Sequence, residues 1–418
     1  MFILDFIAEH ILRNPPILLG LIAAIGLILQ RKGIADIIKG TFLTAFGMII
    51  MQTGIGMLVG SILPINIRFQ EVMTGAVTEG LNDATFTASH GGDVGLAMFI
   101  GLILHLLIAR FTPIKTIFLT GHMIWWFPFI FVAAGVEGGL SGGALVAFGA
   151  ITSALYWSLM PWALRKYVFK VIGDESFTLG HPTGILSLIS GFVASKVGDS
   201  SKSTEDIKIP KPISFFREVS ITGSLVVIIL FVVTSFIIAP SLAEGNRVME
   251  AIGQGLMFGA GLIIMLQGVR MLIAQIVPAF KGISEKVVPN ALPALDCPII
   301  FNYKPNAVLI GFVIAMITSS ILIVITNTLN VFGVMLIPLV ITSFFECGSA
   351  AVIGEGQGGK RGAIIGTIVA AVVMVALVGV SAIIYATTIQ NWMLIFGGND
   401  LSLFGIIGNL IASIFGGF

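Results

Sequence analysis

The stretch LDCPIIFNYKPNAVLIGFVIAMITSSILIVIT, residues 295–326, decides how the rest of the chain is read. From Asn306 to Thr326 it carries no charged side chain. Such a run is about 20 residues long, enough to cross a hydrocarbon core as a helix. Just ahead of it, Leu295-Asp296-Cys297-Pro298 places a carboxylate and a helix-breaking proline, so the segment near 288–303 is apolar yet too broken to cross. Irregular backbone survives at membrane depth only where protein or a polar cavity covers it. The segment therefore reads as re-entrant.

The same pattern extends along the chain. Apolar runs predict spans near 14–30, 41–62, 94–112, 116–136, 140–162, 219–243, 251–277, 306–326, 330–345, 363–385 and 401–417. Two more broken segments, 74–93 and 177–197, hold Asn82-Asp83-Ala84-Thr85-Phe86 and Gly180-His181-Pro182-Thr183-Gly184. The expected fold is an all-α polytopic membrane protein with about eleven transmembrane helices and re-entrant hairpins. A barrel would show strands of about 10 residues with alternating polarity instead. Composition agrees: of 418 residues 56% are hydrophobic and only 10% charged, with mean hydropathy +1.05. A soluble domain carries about 25% charged residues, so soluble enzymes are excluded. The net charge of +1 and the lack of a large basic cluster exclude nucleic-acid binders. Two cysteines, Cys297 and Cys347, make neither a disulfide framework nor a metal set and read as small core residues. No cofactor is expected. The start Met1-Phe2-Ile3-Leu4-Asp5 lacks the basic region of a cleaved signal peptide, so the N-terminus is expected to be kept.

Basic residues set the orientation. With the N-terminus outside, the cytoplasmic loops collect most of the 22 lysines and arginines, from Arg31, Lys32 and Lys39 through Arg165, Lys166 and Lys170 to Lys360 and Arg361. Arg13, Arg68 and Arg247 fall outside, and Arg270 lies within a span. The one long polar loop, about 196–217, joins halves of similar size. At an offset near 214, Gly47-Met48-Ile49-Ile50-Met51 returns as Gly261-Leu262-Ile263-Ile264-Met265, and Gln52, Gly54 and Pro64 return as Gln267, Gly268 and Pro278. Asp83, Phe86 and Asp93 return at one residue less as Asp296, Ile299 and Asn306. Residues 1–205 and 206–400 thus read as two repeats of five spans each, with an extra span at 401–418. An odd number of spans inverts the second copy, and inverted repeats with broken elements belong to alternating-access transporters.

A charge at the bilayer centre costs about 3 kcal/mol, so each membrane carboxylate needs a reason. Asp296 and Asp83 occupy equivalent broken segments and read either as ligands to a polar substrate or as caps on half-helix N-termini. Glu346 is expected near the cytoplasmic end of its span. His122 and His181 lie in glycine-flanked contexts with Trp125 and Trp126 nearby, a setting that suits hydrogen bonding and ring contact to a sugar; the tryptophans fit an interfacial belt equally well. His105, mid-span without such company, reads as structural, and His90 is left open. Gly354-Glu355-Gly356-Gln357-Gly358-Gly359 mimics a nucleotide-binding glycine motif, but it follows a span rather than a strand and reads as a flexible cytoplasmic loop. The spacings Gly56/Gly60 and Gly255/Gly259 read as close helix packing.

Thr120-Gly121-His122, Gly180-His181, Gln267-Gly268-Val269-Arg270-Met271, Phe280-Lys281-Gly282-Ile283-Ser284, Leu295-Asp296-Cys297 and Pro305-Asn306-Ala307-Val308, in this order, resemble the ascorbate-type membrane (EIIC) component of the bacterial PEP:sugar phosphotransferase system. The resemblance runs over nearly the whole chain and is densest from Gln267 to Phe312. It implies a homodimer in the bacterial cell membrane that imports L-ascorbate or a related sugar or sugar acid. It also implies that phosphorylation is supplied by separate cytoplasmic EIIB and EIIA proteins, because the chain shows no phospho-carrier cysteine of its own. Carried over residue by residue, it implies substrate contacts at Thr85, Phe86, His122, His181 and Asp296. Ascorbate-taking members have glutamine where this chain has Trp126 and Pro182, and tyrosine where it has Phe86. Trp126 then offers a stacking surface and Thr183 a replacement hydroxyl. The rival reading is a secondary transporter coupled to protons or sodium, with Asp83, Asp296 and His122 as a relay.

Overall fold

The computed structural model describes residues 14–74, 81–207, 215, 218–233 and 247–416. Residues 75–80 of the first broken segment, 234–243 of the sixth expected span, and Arg13, Lys208, Lys211 and Arg217 of the orientation argument lie outside them. Helices α1 (Pro15–Leu29), α2 (Ile34–Thr74) and α3 (Asp83–Phe111) lead to a short strand β1 (Thr116–Phe118) and α4 (Gly121–Glu137). Next come α5 (Gly142–Ile172), strand β2 (Thr178–Leu179) and α6 (Gly184–Val197). The second half has α7 (Val219–Val233), α8 (Arg247–Lys286), strand β3 (Leu292–Leu295), a 3-10 helix (Cys297–Asn302), α9 (Pro305–Thr328), α10 (Val340–Ile384), α11 (Gln390–Phe396) and α12 (Asp400–Phe415). Among the described residues, six helices are long and apolar enough to cross a membrane, and five shorter apolar ones accompany them. Large side chains such as Leu256, Ile263 and Val324, more than half exposed, provide lipid-facing surface.

Four expectations change, one being the span expected at 330–345, which is helical only from Val340 as part of the long helix α10. The first broken segment is not broken from Asn82 onward. Asn82 accepts from the Thr85 N–H while Thr85 Oγ1 accepts from the Asn82 N–H, so the polar cluster is a capping box that starts the continuous helix α3. The crossing expected at 116–136 is a strand, a break and a helix of 17 residues. The glycine-rich stretch 354–359 is no loop. It continues helix α10, which breaks only at Gly358 and Gly359, where φ of Gly359 is +57°. Cβ atoms added at Gly354 and Gly358 would meet Ser190 Oγ at 2.7 Å and Ala194 O at 2.3 Å on α6, so these glycines permit close backbone approach.

The two later broken segments do break, and what satisfies their backbone is a three-stranded parallel sheet of order β1-β3-β2. Thr116, Ile117 and Phe118 pair with Leu292, Pro293 and Ala294, while Thr178 and Leu179 pair with Ala294 and Leu295. A proline in a central strand normally forfeits a ladder bond. Here β2 pairs only beyond Pro293, so the missing donor has no partner to lose. On the outer edge of β1, the Phe118 N–H donates to His105 Nε2 (3.0 Å). That fixes the proton of the fully buried imidazole on Nδ1, from where it donates to Ser158 Oγ (2.8 Å). His105 is therefore structural. Cys297 and Cys347 are buried and free.

Outside the sheet, α2 and α8 pack backbone to backbone. A Cβ on Gly47 would meet Leu272 N at 2.7 Å, and one on Gly54 would meet Met265 N at 2.3 Å; reciprocally, Gly268 meets Met51 N at 2.2 Å and Gly261 meets Gly54 O at 2.9 Å. Contacts that climb one helix while descending the other make the pair antiparallel. Gly255 and Gly259 likewise abut α7 at Ser224 and Ser220, whereas Gly56 and Gly60 face no atom within 4 Å among the described residues. On the polar side, the segment after α6 folds onto α9 and α10. Glu355 accepts from the Thr204 N–H (3.0 Å), and Glu205 accepts from the Asn306 N–H (2.9 Å) at the start of α9. Burial pushes the Glu205 carboxyl above its ordinary range. Overpacking costs about 1–3 kcal/mol, so Gly54→Val and Gly268→Val should each lower the thermal midpoint of the purified protein by several degrees, with Gly56→Val close to unchanged. Equal shifts at Gly54 and Gly56 in a melting assay would contradict the α2–α8 contact.

Candidate functional site

Because the three strands run parallel, their C-terminal ends lie side by side. β1 leads through Leu119 and Thr120 to His122 in the first turn of α4; β2 leads through Gly180 to His181, ahead of α6; β3 leads directly to Asp296, which caps the 3-10 helix. The junctions are held by the sheet itself: Leu119 N–H donates to Ala294 O (2.9 Å) and Gly180 N–H to Leu295 O (2.8 Å). Three helix starts thereby gather near one point; that of the 3-10 helix is capped by Asp296 and that of α6 by Asp400, so the partial positive charge of these ends is already partly met within the protein.

Three of the sequence-predicted residues meet there. His122 Nδ1 lies 3.7 Å from Asp296 Oδ2 and His181 Nε2 lies 3.6 Å from Asp296 Oδ1, the side chains being 28%, 7% and 6% exposed for His122, His181 and Asp296. Both separations exceed a hydrogen bond, so the groups attract one another without saturating one another. Asp296 Oδ1 accepts from the Cys297 N–H (2.8 Å), which makes it a helix cap as well as a wall of the site. Among the described residues, Asp296 Oδ2, His181 Nδ1, Glu346 Oε2 and Thr120 Oγ1 are buried with no hydrogen-bond partner. Each such atom costs about 1–3 kcal/mol until a ligand or water meets it.

His122, His181, Asp296 and Glu346, though not Thr120, border a cavity of about 690 Å³. Trp126 and Trp392 flank it with rings 4.9 Å apart and tilted by 32°. Ile55 and Val59 of α2 close another side. His122, His181 and Asp296 offer donor atoms within 4.8 Å of one another, which could hold a metal ion. However, histidine ligands usually donate their second ring N–H to a carboxylate or carbonyl, and His181 Nδ1 has no such partner. The donor set suits a ligand with hydroxyl groups better.

The remaining predicted residues sit differently. Thr85 and Asp83 occupy the first turn of α3, and neither lines the cavity. Phe86 is buried behind it, stacked on His90 (4.9 Å) and edge-on to Phe129 (5.2 Å), which in turn meets Trp126 (5.1 Å). The Thr183 hydroxyl is occupied by Ser187 Oγ (3.0 Å) and Glu346 O (3.1 Å). Glu346, expected near a span end, lines the cavity instead, because α10 starts at Val340 and turns this carboxylate inward in its second turn.

Sequence reading missed Trp392, Asn399 and Asp400. Asn399 Nδ2 donates to Glu346 Oε1 (2.9 Å). Asp400, fully buried, accepts from the Ile185 N–H (2.8 Å) and the Tyr156 hydroxyl (2.5 Å), while its own N–H donates to Pro182 O (3.1 Å). One carboxylate thus caps α6 and ties it to the start of α12. The available signal was Gly397-Gly398-Asn399-Asp400, a glycine break followed by two N-cap residues opening an apolar run.

The family model described as the sugar-specific permease component of the PTS system matches residues 10–400. The ascorbate-specific PTS system EIIC component of Mycoplasma pneumoniae (strain ATCC 29342 / M129) is 26% identical over 420 residues, covering 85% of this chain and 63% of its own length. The chain therefore spans less than two thirds of that relative. With the apolar helices and the broken, polar-ended segments that they surround, this chain is a multi-pass membrane protein belonging to the family of sugar-specific permease components of the phosphotransferase system.

Proposed function

We propose that the chain is the substrate-translocating EIIC subunit of a PEP-dependent phosphotransferase system, importing L-ascorbate or a related sugar or sugar acid by alternating access. The observation that carries this reading is the convergence of His122, His181 and Asp296 at three helix N-termini, with orphaned donors and acceptors turned toward a cavity bordered by two indoles. Hydroxyls bridge imidazole and carboxylate groups at these separations, and a sugar ring offers its C–H face to Trp126 and Trp392. The related ascorbate-specific component favours ascorbate as the first ligand to test. Phosphate comes from separate EIIB and EIIA proteins that dock on the cytoplasmic basic loops, since Cys297 and Cys347 are both buried. The N-terminus lies outside and the subunit works as a homodimer. The two halves form an inverted repeat. Supporting this, α2 and α8 carry Pro64 and Pro278 inside them, and α2 lies antiparallel to α8.

Labelled L-ascorbate and a panel of sugars and sugar acids, offered to sealed vesicles with and without phosphoenolpyruvate and the EIIA and EIIB partners, test the reading. Phosphorylated product should appear inside only when the partners are present. Partner-independent accumulation of unmodified substrate that collapses with an uncoupler would instead identify an ion-coupled carrier. Asp296→Asn and His181→Ala should each abolish uptake while the protein still elutes as a folded species on size exclusion; normal uptake by both variants would remove the site. Glu346→Gln keeps the bond to Asn399 but alters the charge facing the cavity. It should change substrate affinity at least several-fold, read by binding to purified protein, with a small effect on thermal stability.

A further inference from the structure

A second cavity, of about 930 Å³, opens among α7, α8, the 3-10 helix and α9; Glu218, Ser220, Gln267, Arg270, Asn302 and Pro305 are among its lining residues. Arg270 is the basic residue that the sequence places inside a span, where a charge costs about 3 kcal/mol unless something compensates it. Its Nε donates to Asn302 Oδ1 (3.2 Å), and among the described residues no carboxylate pairs with its guanidinium. Since Asn302 spends its oxygen on Arg270, its amide nitrogen is the free end, and among the described residues Asn302 Nδ2 is buried without a partner. Snorkelling of the arginine toward water would explain the charge but not the orphaned amide. The N-terminus of α7 faces the same space at Ser220, whereas that of α9 offers Pro305, which has no N–H, and its Asn306 N–H is taken by Glu205. A guanidinium, an unpaired amide donor and the positive end of α7 describe an anion site.

The ligand's other end is set by the walls. Ile263 lines the cavity and is 60% exposed, on a face of α8 where Leu256 is 63% exposed, so the cavity borders lipid-facing surface beside the exposed polar side chains of Glu218, Gln267 and Arg270. We propose that this cavity holds the phosphate of an anionic phospholipid from the leaflet nearest Arg270, with Arg270 as the forked donor and Asn302 Nδ2 as the second. Glu218 is the opposing charge on the rim. Its carboxylate repels the headgroup, so it limits affinity rather than contributing to it. The site also touches the transport machinery: the 3-10 helix runs from Asp296 at the first cavity to Asn302 at this one, a single short element with one end in each.

The test is native mass spectrometry of the detergent-solubilised full chain titrated with phosphatidylglycerol, phosphatidylcholine or inorganic phosphate. Phosphatidylglycerol should saturate a site that phosphatidylcholine fills more weakly. Arg270→Gln should weaken it about ten-fold or more, Asn302→Ala several-fold, and Glu218→Gln should tighten it. Asp296→Asn should leave it unchanged, which separates this site from the proposed sugar site. Equal phosphatidylglycerol binding by the parent and by both Arg270→Gln and Asn302→Ala would overturn the proposal. Displacement of phosphatidylglycerol by millimolar inorganic phosphate would overturn the lipid assignment in favour of a soluble phosphate. If Arg270→Gln fails to fold, the opposite shifts expected of Glu218→Gln and Asn302→Ala still decide the matter.

Discussion

Backbone hydrogen bonding in a medium without water constrains everything else in this molecule. A helix that starts inside the membrane leaves its first N–H groups unpaired, and the chain leading to it has no ladder of its own. The three-residue strand β1, two-residue β2 and four-residue β3 solve both problems together. Each is far too short to be stable alone. Paired in parallel, they satisfy one another's carbonyls and amides through Leu292 to Lys115, Leu119 to Ala294 and Gly180 to Leu295. The edge amide of Phe118, which no strand covers, is taken by a histidine whose tautomer is dictated by that bond. Parallel pairing also has a consequence for chemistry, since it gathers the three C-terminal ends, and therefore His122, His181 and Asp296, at one edge.

Glycine supplies the complementary half of the architecture. Where lipid offers no hydrophobic drive between helices, association depends on close packing, and the α2–α8 pair achieves this with glycines spaced seven apart on both helices, Gly47 and Gly54 against Gly268 and Gly261. The same device breaks α10 at Gly358 and Gly359, where the backbone carbonyls of Asp199 and Lys202 approach positions that any side chain would fill. The first cavity lies between these two constructions, with strand ends on one side and Ile55 and Val59 of α2 on another.

What the sequence made legible follows from what periodicity and spacing encode. Long apolar runs announce helices, so the polytopic architecture was readable, and so was the breaking of the chain at Gly180-His181-Pro182 and Asp296-Cys297-Pro298. Strands of two to four residues carry no periodic signal, which is why the crossing at 116–136 looked like one helix. Asn82-Asp83-Ala84-Thr85 looked like a break because a capping box uses the residues that also populate loops. Glycine-rich 354–359 was misread for a related reason: glycine marks a loop and a close helix contact with the same letter, and only the facing Ser190 and Ala194 tell them apart. Within the site, His122, His181 and Asp296 stood out by chemistry at improbable depth. Asn399 and Asp400 did not, because their importance lies in partners more than 50 residues away, Glu346 and Ile185.

The charge inventory of the first cavity bears on how such a site works. Among the described residues, its lining holds the carboxylates of Asp296 and Glu346 and the imidazoles of His122 and His181, but neither lysine nor arginine. Among these residues the groups that can donate to a ligand are the imidazole N–H groups rather than fixed cations. Helix ends contribute about 0.3–1 kcal/mol each, up to about 2 kcal/mol when partly buried, whereas a buried bidentate arginine binds far more tightly. The proposed transport role would gain from the weaker arrangement, because a site that binds on one side must release on the other. The arginine that the chain does place within a span, Arg270, stands at the other end of the 3-10 helix, at the second cavity. Imidazoles thus face the first cavity and a permanent cation faces the second, and the six residues from Cys297 to Asn302 separate them.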